Sequence, residues 1–203
     1  MSILYLAAVV IILLLSVTIH EYAHAIVADK LGDLTPRSQG RLTLNPFSHL
    51  SILTTIVVPL LIVFASRGLI PPLARAKPVR INPYHFKNPR QDMILVGAAG
   101  PLANICLAAI CILLAKIAIP ILSGILSFAA FLNFILAVFN LIPIPPLDGS
   151  RIVAGFLPIR QYQIYRKIEK FGFYLLALLM FFLIASGSLL KIIAFSQNLI
   201  FSI

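Results

Sequence analysis

The chain has 203 residues, 61% of them hydrophobic and 11% charged, with a formal net charge of +10. This composition lies outside the range of soluble globular domains and fits an all-α polytopic membrane protein, a single membrane-embedded domain over 1–203. The basic residues flank apolar runs without the aromatic interleaving of a base-stacking surface, which argues against nucleic acid and for anionic lipid headgroups as the charged partner.

The first predicted helix covers 3–28. It starts apolar at Ile3, lacks a basic n-region and runs past the length of a signal-peptide core, so it reads as a retained membrane helix. Near its end stands "HEYAH", with His20, Glu21 and His24 inside otherwise apolar sequence. Ionisable groups within a membrane segment are costly and are by default a sign of function.

A basic loop at 29–49 follows, then an apolar stretch at 50–65 with Pro59 in its middle, then a second basic segment at 66–92. Further spanning helices are predicted at 93–118, 122–142 and 171–195, with a third basic loop at 143–170. The positive-inside rule places all three basic segments in the cytoplasm if 50–65 is re-entrant, which gives four spans with both termini outside. Hydropathy alone would make 50–65 a fifth span. Cys106 and Cys111 lie within one apolar run and read as small core residues.

On a helix, residues four apart share a face, so His20 and His24 can bind one metal ion while Glu21 projects about 100° around, beside it. Two neutral imidazoles suit Zn²⁺, and a neighbouring carboxylate can take a proton from a water on the ion. A catalytic zinc normally has three protein ligands. Of the six acidic residues, Glu21 is already assigned, while Asp29, Asp33, Asp92 and Glu169 lie in charged loops. That leaves Asp148 in "NLIPIPPLDGSR", where prolines stop the preceding helix and Gly149 lets the chain turn; a plain loop aspartate is the alternative.

"HEYAH" at 20–24, "AAGPLAN" at 98–104 and "NLIPIPPLDG" at 140–149 together resemble the site-2 protease family of intramembrane zinc metalloproteases, in its short form without a PDZ or CBS domain. The segments at 40–49 and 76–92 resemble the connections of its bacterial and archaeal branch. The resemblance implies one Zn²⁺ per chain on His20, His24 and Asp148, with Glu21 as base. Asn104 and Asn140 match the family's two motif asparagines. Either could bind substrate backbone or an oxyanion, and either could instead tie helices together.

The implied activity is hydrolysis of peptide bonds in or near membrane-spanning segments of substrate proteins, in a bacterial or archaeal cell membrane. The re-entrant topology puts the site toward the cytoplasmic side. Minor extended segments at 41–45 and 78–82 could pair with an unwound substrate, or be ordinary loop strands. The alternative function is a zinc-binding membrane protein with a structural or transport role and no proteolysis.

Overall fold

Neither proline nor glycine interrupts the sequence from Ile3 to Lys30, and the first helix, α1 (Ile3–Lys30), continues without a break. Its 28 residues span about 42 Å at 1.5 Å per residue, more than the ~30 Å hydrocarbon core. The computed structural model describes residues 3–49 and 79–201, and these form helices with no strand. The expectation of a re-entrant or spanning 50–65 falls outside the described residues.

Beyond α1 come two single-turn helices, α2 (Thr35–Ser38) and α3 (Pro46–His49). Residues 79–82 are irregular and lead into a 3-10 turn at Pro83–His85. Pro89 opens α4 (Pro89–Ala115), where a missing N–H has no cost, and Asp92 in the first turn accepts from the Asn88 N–H at 3.0 Å. Next are α5 (Pro120–Asn140), α6 (Asp148–Phe156) and α7 (Ile159–Glu169). The chain ends in α8 (Gly172–Ala185) and α9 (Ser188–Phe201).

Among the described residues three helices, at Ala7–Lys30, Pro89–Ala115 and Pro120–Asn140, are long and apolar enough to cross a membrane. A fourth span is available if α7 and α8, which meet at 74°, are taken as one broken element. Two expectations change in detail. The predicted helix at 171–195 is interrupted, because the chain passes through Gly187 at φ +68° between α8 and α9. The basic loop at 143–170 is largely helical, since α6 and α7 lie within it.

α4 is central, packing on α1, α5 and α6. It runs antiparallel to α1: His24 bonds to Val96, whereas His20, one turn earlier in α1, bonds to Asn104, two turns later in α4. The residues packed along this seam are mostly small, with Ala25, Ala28, Ala99 and Gly100 buried. Small residues allow the close backbone approach that membrane helices need where no hydrophobic force acts between them. At the exit of α1, Ala28 joins Phe86 and Val96 in a small core. The chain therefore leaves α1 and enters α4 at the same end of the bundle.

Candidate active site

His20 and His24 lie on the α4-facing side of α1, where they are 7% and 2% exposed. Asp148, the first residue of α6, is 6% exposed and faces them from a turn that the prolines of 143–146 hold out of helix. Its Oδ2 stands 3.0 Å from His20 Nε2 and 3.1 Å from His24 Nε2, and the two Nε2 atoms are 3.1 Å apart. The structure thus joins three residues up to 128 positions apart into the one group of potential metal ligands found among the described residues.

Each ligand is oriented from behind. His24 Nδ1–H donates to the Val96 carbonyl at 2.6 Å, and His20 Nδ1 meets Asn104 Oδ1 at 2.5 Å. Arg151 donates to the other Asp148 oxygen, Oδ1, at 3.3 Å. With both Nδ1 hydrogens turned outward, two imidazole lone pairs and a carboxylate oxygen face one point, an arrangement that repels itself unless a cation sits there. Bonds of about 2.0–2.2 Å to a tetrahedral zinc place ligand atoms about 3.3–3.6 Å apart. The observed edges of 3.0 and 3.1 Å are shorter than that by a few tenths of an ångström. The donor set therefore fits Zn²⁺.

Two glycines make the approach possible. A Cβ on Gly100 would collide with His24 Nε2 and His20, and one on Gly149 would collide with the Leu141 carbonyl. Gly149 is helical in α6, so its part is close packing against the 141–142 backbone and not the free turn expected from sequence.

Glu21 is half-buried, and its Oε2 accepts the Val79 N–H at 3.1 Å. Three residues on, the Asn82 N–H donates to Asp33 at 2.7 Å. Residues 79–82 are thus fixed to α1 and its exit turn, and their N–H groups at both ends are engaged within the chain. Neither these residues nor 41–45 pairs as a strand.

Asp33, grouped from sequence with the acids of charged loops, is fully buried. It accepts from the Thr35 N–H and hydroxyl at 3.0 and 2.5 Å, and pairs with His85 at 2.8 Å. Burial alone would raise its pKa, but the bonds from Thr35, Asn82 and His85 outweigh that and hold it below the usual carboxylate range.

Asn104 is fully buried, with its Oδ1 on His20 and its Nδ2 on Asn133 at 2.6 Å. Asn140 is half-buried at the end of α5, and its amide donates to the Leu136 carbonyl one turn back at 2.9 Å. The structure does not bring Asn140 into the cluster through any described bond. Asn133 and Arg151 were not singled out from sequence. An amide amid the apolar residues of α5 was the available signal for Asn133; a basic residue three positions after Asp148 was the one for Arg151.

Comparison with known proteins follows the same lines. The model of the family described as Peptidase family M50 matches residues 115–183, which include Asp148. The Bacillus subtilis protein named "Putative zinc metalloprotease YwhC" is 38% identical over 177 residues, covering 81% of this chain and 75% of its own length. A Mycolicibacterium smegmatis protein named "Putative zinc metalloprotease Rip2" is 30% identical over 171 residues, covering 82% of this chain and 64% of its own length. Its Mycobacterium tuberculosis namesake is 30% identical over 140 residues, and the chain spans 52% of that protein. No solved structure matches the chain.

Proposed function

The chain belongs to peptidase family M50, and from that premise we propose that it is a site-2-type intramembrane zinc metalloprotease cutting peptide bonds in or near the membrane-spanning segments of substrate proteins. The observation that carries this reading is the convergence of His20, His24 and Asp148 on one point, acceptor atoms inward, next to Glu21 on the same helix.

A Zn²⁺ held by these three residues would polarise the scissile carbonyl and acidify a water. Beside that ion, the Glu21 carboxylate would serve as the base, holding a proton for the leaving amine. The Val79 N–H fixes one carboxylate oxygen of Glu21, which leaves the other for the water. Burial of His20, His24 and Asp148 keeps bulk solvent from competing for the site. A zinc-binding membrane protein without proteolysis would need Glu21 only to hold the Val79 N–H, which occupies one of its two oxygens.

The site is assigned to the cytoplasmic side of a bacterial or archaeal cell membrane. Arg37, Lys87 and Lys167 lie in the three basic segments that the positive-inside rule assigns to the cytoplasm. The same loops would meet anionic headgroups. Single cysteines at these positions, in a chain lacking Cys106 and Cys111, should all be labelled from the cytoplasmic side by an impermeant thiol reagent; labelling of Lys167→Cys from outside would reverse the assignment.

The activity is tested with purified protein, by metal analysis and cleavage of a membrane peptide. His20→Ala, His24→Ala and Asp148→Ala should each lose zinc and cleavage together. A variant keeping both would remove that residue from the ligand set.

A further inference from the structure

Behind the ligand face, a chain of hydrogen bonds crosses three helices, and its direction is fixed by its far end. The Ala129 carbonyl can only accept, and it lies 2.9 Å from Asn133 Nδ2. Ser16 Oγ gives its hydrogen to the Ile12 carbonyl at 2.7 Å, so toward Asn133 Nδ2, at 2.9 Å, it too can only accept. Both hydrogens of the Asn133 amide are thereby committed, and its Oδ1 is turned toward Asn104.

The consequence passes along the chain. Asn133 Oδ1 requires a donor, which Asn104 Nδ2 supplies at 2.6 Å, with the Ser16 carbonyl 3.5 Å from the same nitrogen. The Asn104 amide then has only its oxygen left for His20, and that oxygen, 2.5 Å away, requires the hydrogen of His20 on Nδ1. A histidine protonated on Nδ1 presents a bare Nε2, the atom that faces Asp148 and His24. If Asn104 were free to flip, its NH₂ would meet Nδ1, the hydrogen would move to Nε2, and the lone pair would point away from the metal position.

We infer that Asn133, on a helix that supplies no metal ligand, is a positioning residue for the zinc site: with Ser16 it orients Asn104, and through Asn104 it sets the tautomer of His20. The inference rests on the reading of His20 as a zinc ligand. The burial pattern supports it, because Asn104, Asn133 and Ser16 are each no more than 1% exposed although polar. In a membrane interior such groups persist only when fully bonded. His24 needs no such relay, since a backbone carbonyl, which cannot flip, fixes its Nδ1.

The test compares Asn133→Leu with Asn133→Asp in the detergent-solubilised full chain. Leucine removes the anchor. Aspartic acid, protonated in this setting, still offers an acceptor to Asn104 and a donor to Ser16. Zinc affinity is measured by competition with a chelator, and the tautomer of zinc-free His20 by nitrogen NMR of ¹⁵N-histidine-labelled protein, with His20→Ala for assignment.

Wild type should show His20 protonated on Nδ1. Asn133→Leu should mix the tautomers and weaken zinc binding by about 10–100-fold, and Asn133→Asp should restore affinity to within about threefold of wild type. Folded Asn133→Leu with wild-type affinity and an unchanged His20 signal would overturn the inference. So would a wild-type His20 that carries its hydrogen on Nε2 and none on Nδ1, a result that needs no variant to fold. Wild type that binds no zinc, or His20→Ala that keeps it, would instead overturn the underlying ligand reading, and the inference with it.

Discussion

The seam between α1 and α4 and the outer face of α8 are both surfaces of apolar helices, yet they are built on opposite rules. Along the seam most buried residues are small or polar: Ala28, Ala99 and Gly100, then His20, His24 and Asn104, with Val96 the larger exception. On α8 the large apolar side chains Phe173, Leu178, Phe181 and Phe182 are all exposed, and the one buried position is Gly172. Lipid tails are as apolar as leucine, so large side chains gain little by turning inward. Closeness must come from small residues and satisfied polar groups, and that is where a metal site can be assembled.

The contrast can be broken most severely at Gly100. Gly100→Val drives side-chain atoms into both imidazoles, so zinc content and cleavage should fall at least about 100-fold, beyond the usual loss from a disturbed outer shell. Gly124 in α5 has nothing near its Cβ position, and Gly124→Ala should leave zinc stoichiometry and cleavage unchanged. Metal analysis of the pair checks both. Equal loss in the two variants would mean that helix integrity, and not closeness at the seam, governs the site.

A smaller effect is expected from paired phenylalanines. Phe86 is 5% exposed against Ala28 and Val96, and Phe86→Ala should cost about 3–5 kcal/mol. Phe181, 69% exposed, should change stability by no more than about 0.5 kcal/mol on Phe181→Ala. Thermal unfolding in one detergent measures the difference.

The sharpest smaller test lies at the exit of α1. Asp33→Asn removes the charge that binds Thr35, Asn82 and His85, and should cost about 1–3 kcal/mol. Because the folded pKa of Asp33 is lowered, its contribution is present above the unfolded value of about 3.9 and is lost as pH falls through the folded one. Below about pH 4, wild type should therefore lose stability more steeply than Asp33→Asn. Parallel slopes from pH 6 to pH 3 would show that Asp33 does not carry this dependence.

What could be read from sequence was whatever is local or costly. His20, Glu21 and His24 fall on adjacent helix turns, and an uninterrupted apolar run made α1 legible nearly to its last residue. Asp148 stood out because so few acids are present. Asn133 was missed because its partners, Ser16 and Asn104, lie 117 and 29 residues away, and only tertiary contact shows what its amide does. Asp33 was set aside for a related reason: an acid in a basic loop shows no fixed partners until the returning chain at 82–85 meets it. The break between α8 and α9 lay in "ASGSLL", where two serines and a glycine were outweighed by the surrounding hydropathy.

The central claim is that the seam holds zinc for hydrolysis and not merely for structure, and Glu21→Gln tests it most directly. The amide leaves His20, His24 and Asp148 untouched and keeps an oxygen for the Val79 N–H, but it cannot accept a proton. Zinc content and cleavage of a membrane peptide are measured on the same purified sample. The account predicts wild-type zinc with cleavage reduced at least about 100-fold; wild-type cleavage by Glu21→Gln would contradict it.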